Sequence, residues 1–200
     1  MEQLMGKWKD FWRTPQRIFL VLFILSLGVS VYALRQNNQQ MIGLRGAVYE
    51  ADKKGGDIEG ALAELRTFVH GHMNTNLSSG EGAIKPAIQL KYTYERLVTA
   101  EQAKVDAINS KIYSDAQNYC QAQNPSSFSG GPRVPCVEEY VTTHGAKAVT
   151  IADSLYKFDF ISPFWSPDLA GWSIVLTIAL LVLLITSFTI DRTVKAQIKG

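Results

Sequence analysis

Residues Trp172 to Ile190 read WSIVLTIALLVLLITSFTI, nineteen positions with no charge, no proline and no glycine. A helix rises about 1.5 Å per residue, so such a run can cross a hydrocarbon core of about 30 Å. Lipid offers no partner to a bare peptide group, so an isolated crossing segment has to be helical. Ile18 to Leu34 has the same character but is shorter and weaker. A chain with two such runs is expected to leave a membrane, fold outside it and return. The expected fold class is all-α, with two transmembrane helices flanking an extracytoplasmic up-down helical bundle.

The charge pattern orients this layout. Lys7, Lys9, Arg13 and Arg17 precede the first run, and Arg192, Lys195 and Lys199 follow the second. Basic residues beside spanning helices stay cytoplasmic, whereas long loops translocate largely regardless of charge. Both termini are therefore expected inside and residues 35–171 outside, at a plasma membrane crossed twice. From Gln36 to Asp168 there are 12 Lys+Arg against 15 Asp+Glu, a net of −3, which gives no reason to expect binding to nucleic acid. The expected division is a cytoplasmic amphipathic segment (1–17), a first span (18–34), a helical bundle (35–161), an interfacial elbow (162–171), a second span (172–190) and a cytoplasmic tail (191–200). The 134 residues from Arg35 to Asp168 are enough for one independently folded core.

Cys120 and Cys136 are the only cysteines of the chain. Both fall in the outer segment, flanking a loop rich in proline, glycine and serine, so a disulfide is the simplest reading. Two free buried thiols are the alternative, and a metal held by this pair without a nearby histidine is weaker still. Val31-Tyr32-Ala33 has the small-residue spacing of a signal-peptidase site. Apolar residues continue in helical register past Ala33, which favours an uncleaved signal-anchor.

Helical spacing continues between the spans. Leu34, Met41 and Val48 repeat every seven residues, with Leu44 and Ala51 interleaved and Asn37 in the remaining seam position. The first span is thus expected to run on into a stalk. Lys53-Lys54-Gly55-Gly56-Asp57 ends it, and Asp57 suits the cap of a second helix whose apolar face includes Leu62, Leu65, Val69 and Met73. A third helix is expected from near Pro86 to about Gln123, and a fourth from about Val137 with Val141, His144, Ala148, Ile151, Leu155 and Phe158 in register. Pro163 and Pro167 break the approach to the second span. Trp165 and Trp172 are expected as outer interface anchors, and Trp8 and Trp12 as inner ones. An unstructured tail with incidental tryptophans is the alternative for residues 1–17. Pro15 is expected to separate that segment from the span.

No catalytic constellation stands out: there is no nucleophile elbow, phosphate-cradling glycine loop or zinc-protease helix. His70 and His72 look like a metal pair, but residues two apart on a helix point away from each other. Structural or loop histidines are the better reading, and His144 is expected to be a hydrogen-bonded core histidine. Glu50, Asp52, Asp57 and Glu59 cluster around a turn, where solvation and helix capping explain them better than acid–base chemistry. Tyr92 and Tyr94, with Lys91 and Arg96, could line a ligand groove, although aromatic residues at helical spacing are usually core; with His70 and His72 they are the candidate ligand-binding residues. Asn76-Leu77-Ser78 matches a glycosylation sequon, a pattern that chance supplies often. Neither a cofactor nor a metal is expected.

A span, an up-down-up-down outer region and a second span resemble the four-helix sensor domains of bacterial chemoreceptors and sensor kinases. The stretches Leu44-Arg45, His72-Met73-Asn74-Thr75 and Lys91-Tyr92-Thr93-Tyr94-Glu95-Arg96 are also similar to uncharacterised bacterial two-span membrane proteins. The resemblance implies a bacterial membrane and no particular activity. Receptors of that layout signal to a cytoplasmic output domain, whereas Asp191 to Gly200 spans ten residues, so an output would belong to a partner. The expected function is that of a membrane-anchored interaction module or accessory subunit of an envelope complex, without catalytic activity. A ligand-sensing ectodomain acting through a partner is the alternative. The expected partners are the lipid bilayer and a membrane protein or a second copy of the chain.

Overall fold

The computed structural model describes residues 2–78, 85–123 and 133–199. The described chain is mainly helical: α1 (Glu2–Lys54), α2 (Ile58–Gly71), α3 (Lys91–Gln123), α4 (Arg133–His144) and α5 (Leu169–Lys199). Two short strands, β1 (Ile88–Gln89) and β2 (Lys157–Phe158), pair antiparallel with Ile88 opposite Phe158. The chain divides into two compact units. One holds Met1–Ala51, Asp57–Ala87 and Asp159–Gly200, and the other Asp52–Gly56 and Ile88–Phe158.

In the first unit, α1 runs unbroken from the N-terminal segment through the apolar stretch into the stalk. At 53 residues it is roughly 80 Å long. Pro15 lies inside it rather than separating two pieces. Proline removes one backbone donor, and the apolar helix formers that follow continue the helix past that loss. The heptad stripe faces inward, with Met41 and Val48 buried. Asp57 caps α2 as expected, its carboxylate accepting from the Gly60 N–H at 2.8 Å. Leu62, Leu65 and Val69 form the buried face of α2. Beyond α2 the Asn74 amide donates to the Leu34 carbonyl at 3.0 Å, so α1 and α2 run antiparallel. Arg45 and Tyr49 hold the onward chain to α1 through the Ala87 carbonyl oxygen, at 3.1 and 3.3 Å.

Stretches of α1 and α5 are long and apolar enough to cross a membrane. Only 17% of each apolar window is buried, unlike the core helix of a water-soluble domain. Leu25, Val31, Val182 and Ile185 instead face outward. The two helices meet through small polar side chains. The Ser26 and Thr177 hydroxyls are 2.7 Å apart, Ser30 and Thr177 3.0 Å apart, and Gln16 donates to the Ser187 carbonyl. These contacts run in opposite directions along the two helices, so α1 and α5 are antiparallel.

In the second unit, α3 begins at Lys91 and not near Pro86. Ile88 and Leu90 are buried in non-helical chain before it, and the Leu90 N–H donates to the Tyr156 carbonyl at 2.8 Å. The start of α3 is set by Asp52, a residue distant in sequence. Its buried carboxylate accepts from the Tyr92 and Thr93 N–H groups at 3.0 and 2.8 Å and from the Thr93 hydroxyl at 2.7 Å. An anion at a helix N-terminus meets unpaired N–H donors and the positive end of the dipole. Asp52 is therefore a buried cap rather than a solvated residue of the turn.

α4 starts earlier than expected and stops at His144, not Phe158. The Gly145 N–H closes the last turn onto the Val141 carbonyl at 2.8 Å, and a Cβ at Gly145 would come within 2.6 Å of that oxygen. Asn109 on α3 then pairs with both backbone groups of Ala146, at 2.7 and 3.2 Å, and turns the chain into an extended course. His144 is exposed and stacked on Tyr140 at 4.2 Å, which corrects its expected place in a core. Cys120 of α3 and Cys136 of α4 are disulfide-bonded, with Cα atoms 5.9 Å apart. That bond ties the end of α3 to the start of α4.

Candidate functional site

The chain converges most densely where α5 begins, at the level of Asn37 on α1. Asp168 lies immediately before α5 and accepts through both oxygens. Asn37 donates to one at 2.7 Å, and the Ser166 hydroxyl and Gly171 N–H donate to the other at 2.9 Å each. The same Asn37 amide reaches the Met73 carbonyl at 3.3 Å, and the Met73 N–H donates to Ser166 Oγ at 3.0 Å. Ser166 is fully buried, so its hydroxyl has to be satisfied within the protein, as it is here. Burial opposes ionisation of Asp168, but the Gly171, Asn37 and Ser166 donors, with His72 nearby, outweigh it and hold the carboxyl below its ordinary range. The result is a polar clasp joining α1, the chain after α2 and the start of α5.

The clasp also marks one end of the apolar stretch. From Gln16, at the Ser187 contact, to Asn37 is about 31 Å along α1, which matches a hydrocarbon thickness of about 30 Å. Asn37, Ser166 and Asp168 did not stand out as functional in the sequence. The available signal was Asn37 itself, a polar residue in an otherwise apolar seam, which is explained by a partner more than a hundred residues away.

The four suggested ligand residues fall into separate places. His70 is exposed with its ring edge-on to Phe160 at 6.2 Å, while His72 stacks on Phe68 at 4.1 Å with its Nδ1 against the Phe68 carbonyl. The two rings thus engage different partners. Tyr92 and Tyr94 belong to the other unit. The Lys91 ammonium lies over the Tyr92 ring, and Tyr94 packs against Tyr156 at 4.7 Å. Tyr156 donates to Asp153 at 2.8 Å, beside the Lys157 ammonium. Lys157 and Tyr156 lower the Asp153 pKa, and Asp153 raises theirs. Among the described residues, no group of three or more His, Cys, Asp or Glu side chains could hold a metal ion.

Trp165 and Trp172 meet edge-on at 5.7 Å at the start of α5. The backbone at Trp8 and Trp12 is helical, and their side chains lie outside the described residues. In the second unit α3 and α4 enclose a groove of about 650 Å³, lined by Tyr113, Gln117, Val137, Val141, Arg133 and Glu138 among others. The Arg133 Nε at its edge is buried and finds no hydrogen-bond partner among the described residues. The chain matches no known family model, no curated protein and no solved structure.

Proposed function

We propose that the chain is a membrane-anchored helical interaction module, an accessory subunit of an envelope complex with no catalytic activity of its own. In this reading both termini are cytoplasmic, residues 35–171 are extracytoplasmic, and Trp8, Trp12, Trp165 and Trp172 sit at the interfaces. The observation that carries it is the clasped, antiparallel pair of outward-apolar helices. The Gln16–Ser187 contact supports this orientation, because the antiparallel pair then carries both basic flanks at one end and such residues tend to remain inside. The partner is a membrane protein or a second copy of the chain.

Copurification from mild detergent tests the reading. A stoichiometric partner or a defined oligomer is expected, and a monomer in both detergent and native membranes counts against it. Tags at the two termini should be protected in intact cells, while a tag near Gly130 should be accessible. A terminal tag accessible from outside overturns the orientation.

A second reading, a sensor acting through a partner, is favoured by the groove between α3 and α4. Its apolar valines and the Arg133 Nε, without a partner among the described residues, suit a small amphipathic anion. Titration of the purified full chain with short carboxylates, read by thermal shift, separates the two. A saturable shift abolished by Arg133→Gln supports sensing, and no shift up to millimolar ligand supports the interaction module.

A further inference from the structure

The segment from Phe160 to Ser166 is fixed at both ends and turns its apolar side chains outward between them. Phe160 is buried, with the His70 ring at its edge and the Arg66 guanidinium over its face at 5.4 Å. Ser166 is buried in the clasp. Between these points Ile161 is 79% exposed and Phe164 99% exposed. Pro163 restricts the intervening backbone, and Pro167 restricts Ser166 at its end.

This segment lies folded back along α5. The Trp165 ring meets Trp172, which is in the first turn of the helix. A Cβ built on Gly171 would run into the Ser166 carbonyl oxygen and come within 2.8 Å of Trp165 Nε1. Only glycine permits that approach. Phe164 is therefore displayed next to Trp165 at the start of α5, where Leu169 and Trp172 of the first turn and Leu176 of the second are also exposed and the apolar surface of the helix begins. Ile161 to Pro167 carries no charged side chain.

We propose that Ile161, Phe164 and Trp165 form a fixed lipid-inserting tip, seated in the headgroup–acyl boundary of the leaflet at the Asp168 end of α5. The inference rests on the membrane-spanning reading above and adds a second attachment beside the spans. Lipid is the occupant because the tip is continuous with the apolar belt of α5. Aromatic residues also favour this depth, where one side of the ring is apolar and the other wet. The tip fixes the depth and rotation of α5 relative to the clasp.

The test uses the full chain in phosphatidylcholine vesicles with acyl chains brominated at defined depths. Trp8, Trp12, Trp165 and Trp172 are replaced by Phe, and one reporter is added, either Phe164→Trp or Val182→Trp. Deep bromines should quench the Val182→Trp reporter. Bromines near the top of the chain should quench the Phe164→Trp reporter at least twofold, with acrylamide quenching reduced at least threefold relative to a free indole. If only the Val182→Trp reporter is quenched by bromine and the Phe164→Trp reporter stays open to acrylamide, the tip is wrong and the spans stand. Shielding from acrylamide without bromine quenching places the tip against protein and overturns the inference as well. A Val182→Trp reporter that no bromine reaches takes down the spanning reading and the tip with it. Gly171→Val should return the Phe164→Trp reporter to acrylamide and leave the Val182→Trp reporter unchanged. Shielding that survives Gly171→Val overturns the fold-back on which the depth of the tip depends.

Discussion

Asn37 donates to Asp168 at 2.7 Å, joining α1 to the residue that precedes α5, 131 positions away in the chain. The pair stands where the apolar stretch of α1 gives way to the stalk, so it sets the register in which α5 meets α1. Asn37→Leu removes two donated bonds and leaves the half-buried Asp168 with fewer donors. A buried or half-buried acceptor stripped of its partner costs about 1–3 kcal/mol. Unfolding in mixed micelles should show a loss of that size, and Asp168→Asn combined with Asn37→Leu should lose less than the two single changes together. Strict additivity would show that the two side chains do not act as a unit.

The acid limb of the stability profile is a separate consequence. Hydrogen bonds hold the folded Asp168 carboxyl below its ordinary value despite its burial. A depressed folded pKa stabilises the protein above the unfolded pKa of about 3.9, and that contribution is lost as pH falls through the folded pKa. Melting curves of Asp168→Asn should therefore approach those of the native chain as pH falls below about 4. A constant difference across pH 3 to 7 would count against the carboxylate as the origin.

Asp52 should matter more than its ion pair. Its carboxylate is buried and caps α3, whereas the Arg96 guanidinium that meets it at 3.3 Å is half exposed. A helix cap contributes about 1 kcal/mol and stranded polar groups more, while a half-exposed ion pair contributes under about 1 kcal/mol. Asp52→Ala is expected to destabilise by about 3 kcal/mol, Asp52→Asn by less, and Arg96→Ala by the least. Chemical denaturation checks the order, and an Arg96→Ala loss equal to that of Asp52→Ala would contradict it.

The disulfide gives a fourth stability prediction. Cys120 and Cys136 are 16 residues apart, and closing a loop of that size restricts the unfolded chain by about 3 kcal/mol in the chain-entropy model. The double Cys→Ser variant should melt lower by a corresponding amount while keeping its far-UV helical signal. Two alkylatable thiols in protein isolated without reductant would show that the bond is absent from the native chain.

Local patterns made much of this legible. The apolar runs, the heptad stripe through Met41 and Val48, the Asp57 cap and the cysteine pair all announce themselves within a few residues. The start of α3 did not, because Asp52 sets it from outside the helix and the local proline suggested an earlier turn. The end of α4 was hidden for a similar reason: the apolar register continues to Phe158, while Gly145 and the Asn109 bonds stop the helix at His144. The clasp was hidden because Asn37, Met73, Ser166 and Asp168 come together only after the chain has returned. Side chains that act by satisfying one another across long separations leave little trace in any one window of sequence.

The pairing of α1 and α5 supplies the last prediction. In the membrane-spanning reading the two helices associate through close packing and hydrogen bonds rather than a hydrophobic drive, because lipid tails are as apolar as leucine. Ser26 and Ser30 both face Thr177, and Ser26, Ser30, Ser173 and Ser187 are all buried between otherwise outward-facing apolar residues. An interhelical hydrogen bond in such a pair averages about 0.6 kcal/mol, because the separated helices find other partners for the same groups. Ser26→Ala should therefore weaken the pair only slightly. Ser26→Leu makes the chain more apolar, yet it forces a large side chain into a close approach, at about 1–3 kcal/mol for overpacking. Unfolding in mixed micelles, read by energy transfer between labels near Gln16 and Ser187, should rank Ser26→Leu well below Ser26→Ala. If leucine matched or exceeded serine, hydrophobicity rather than close approach would be holding the helices together.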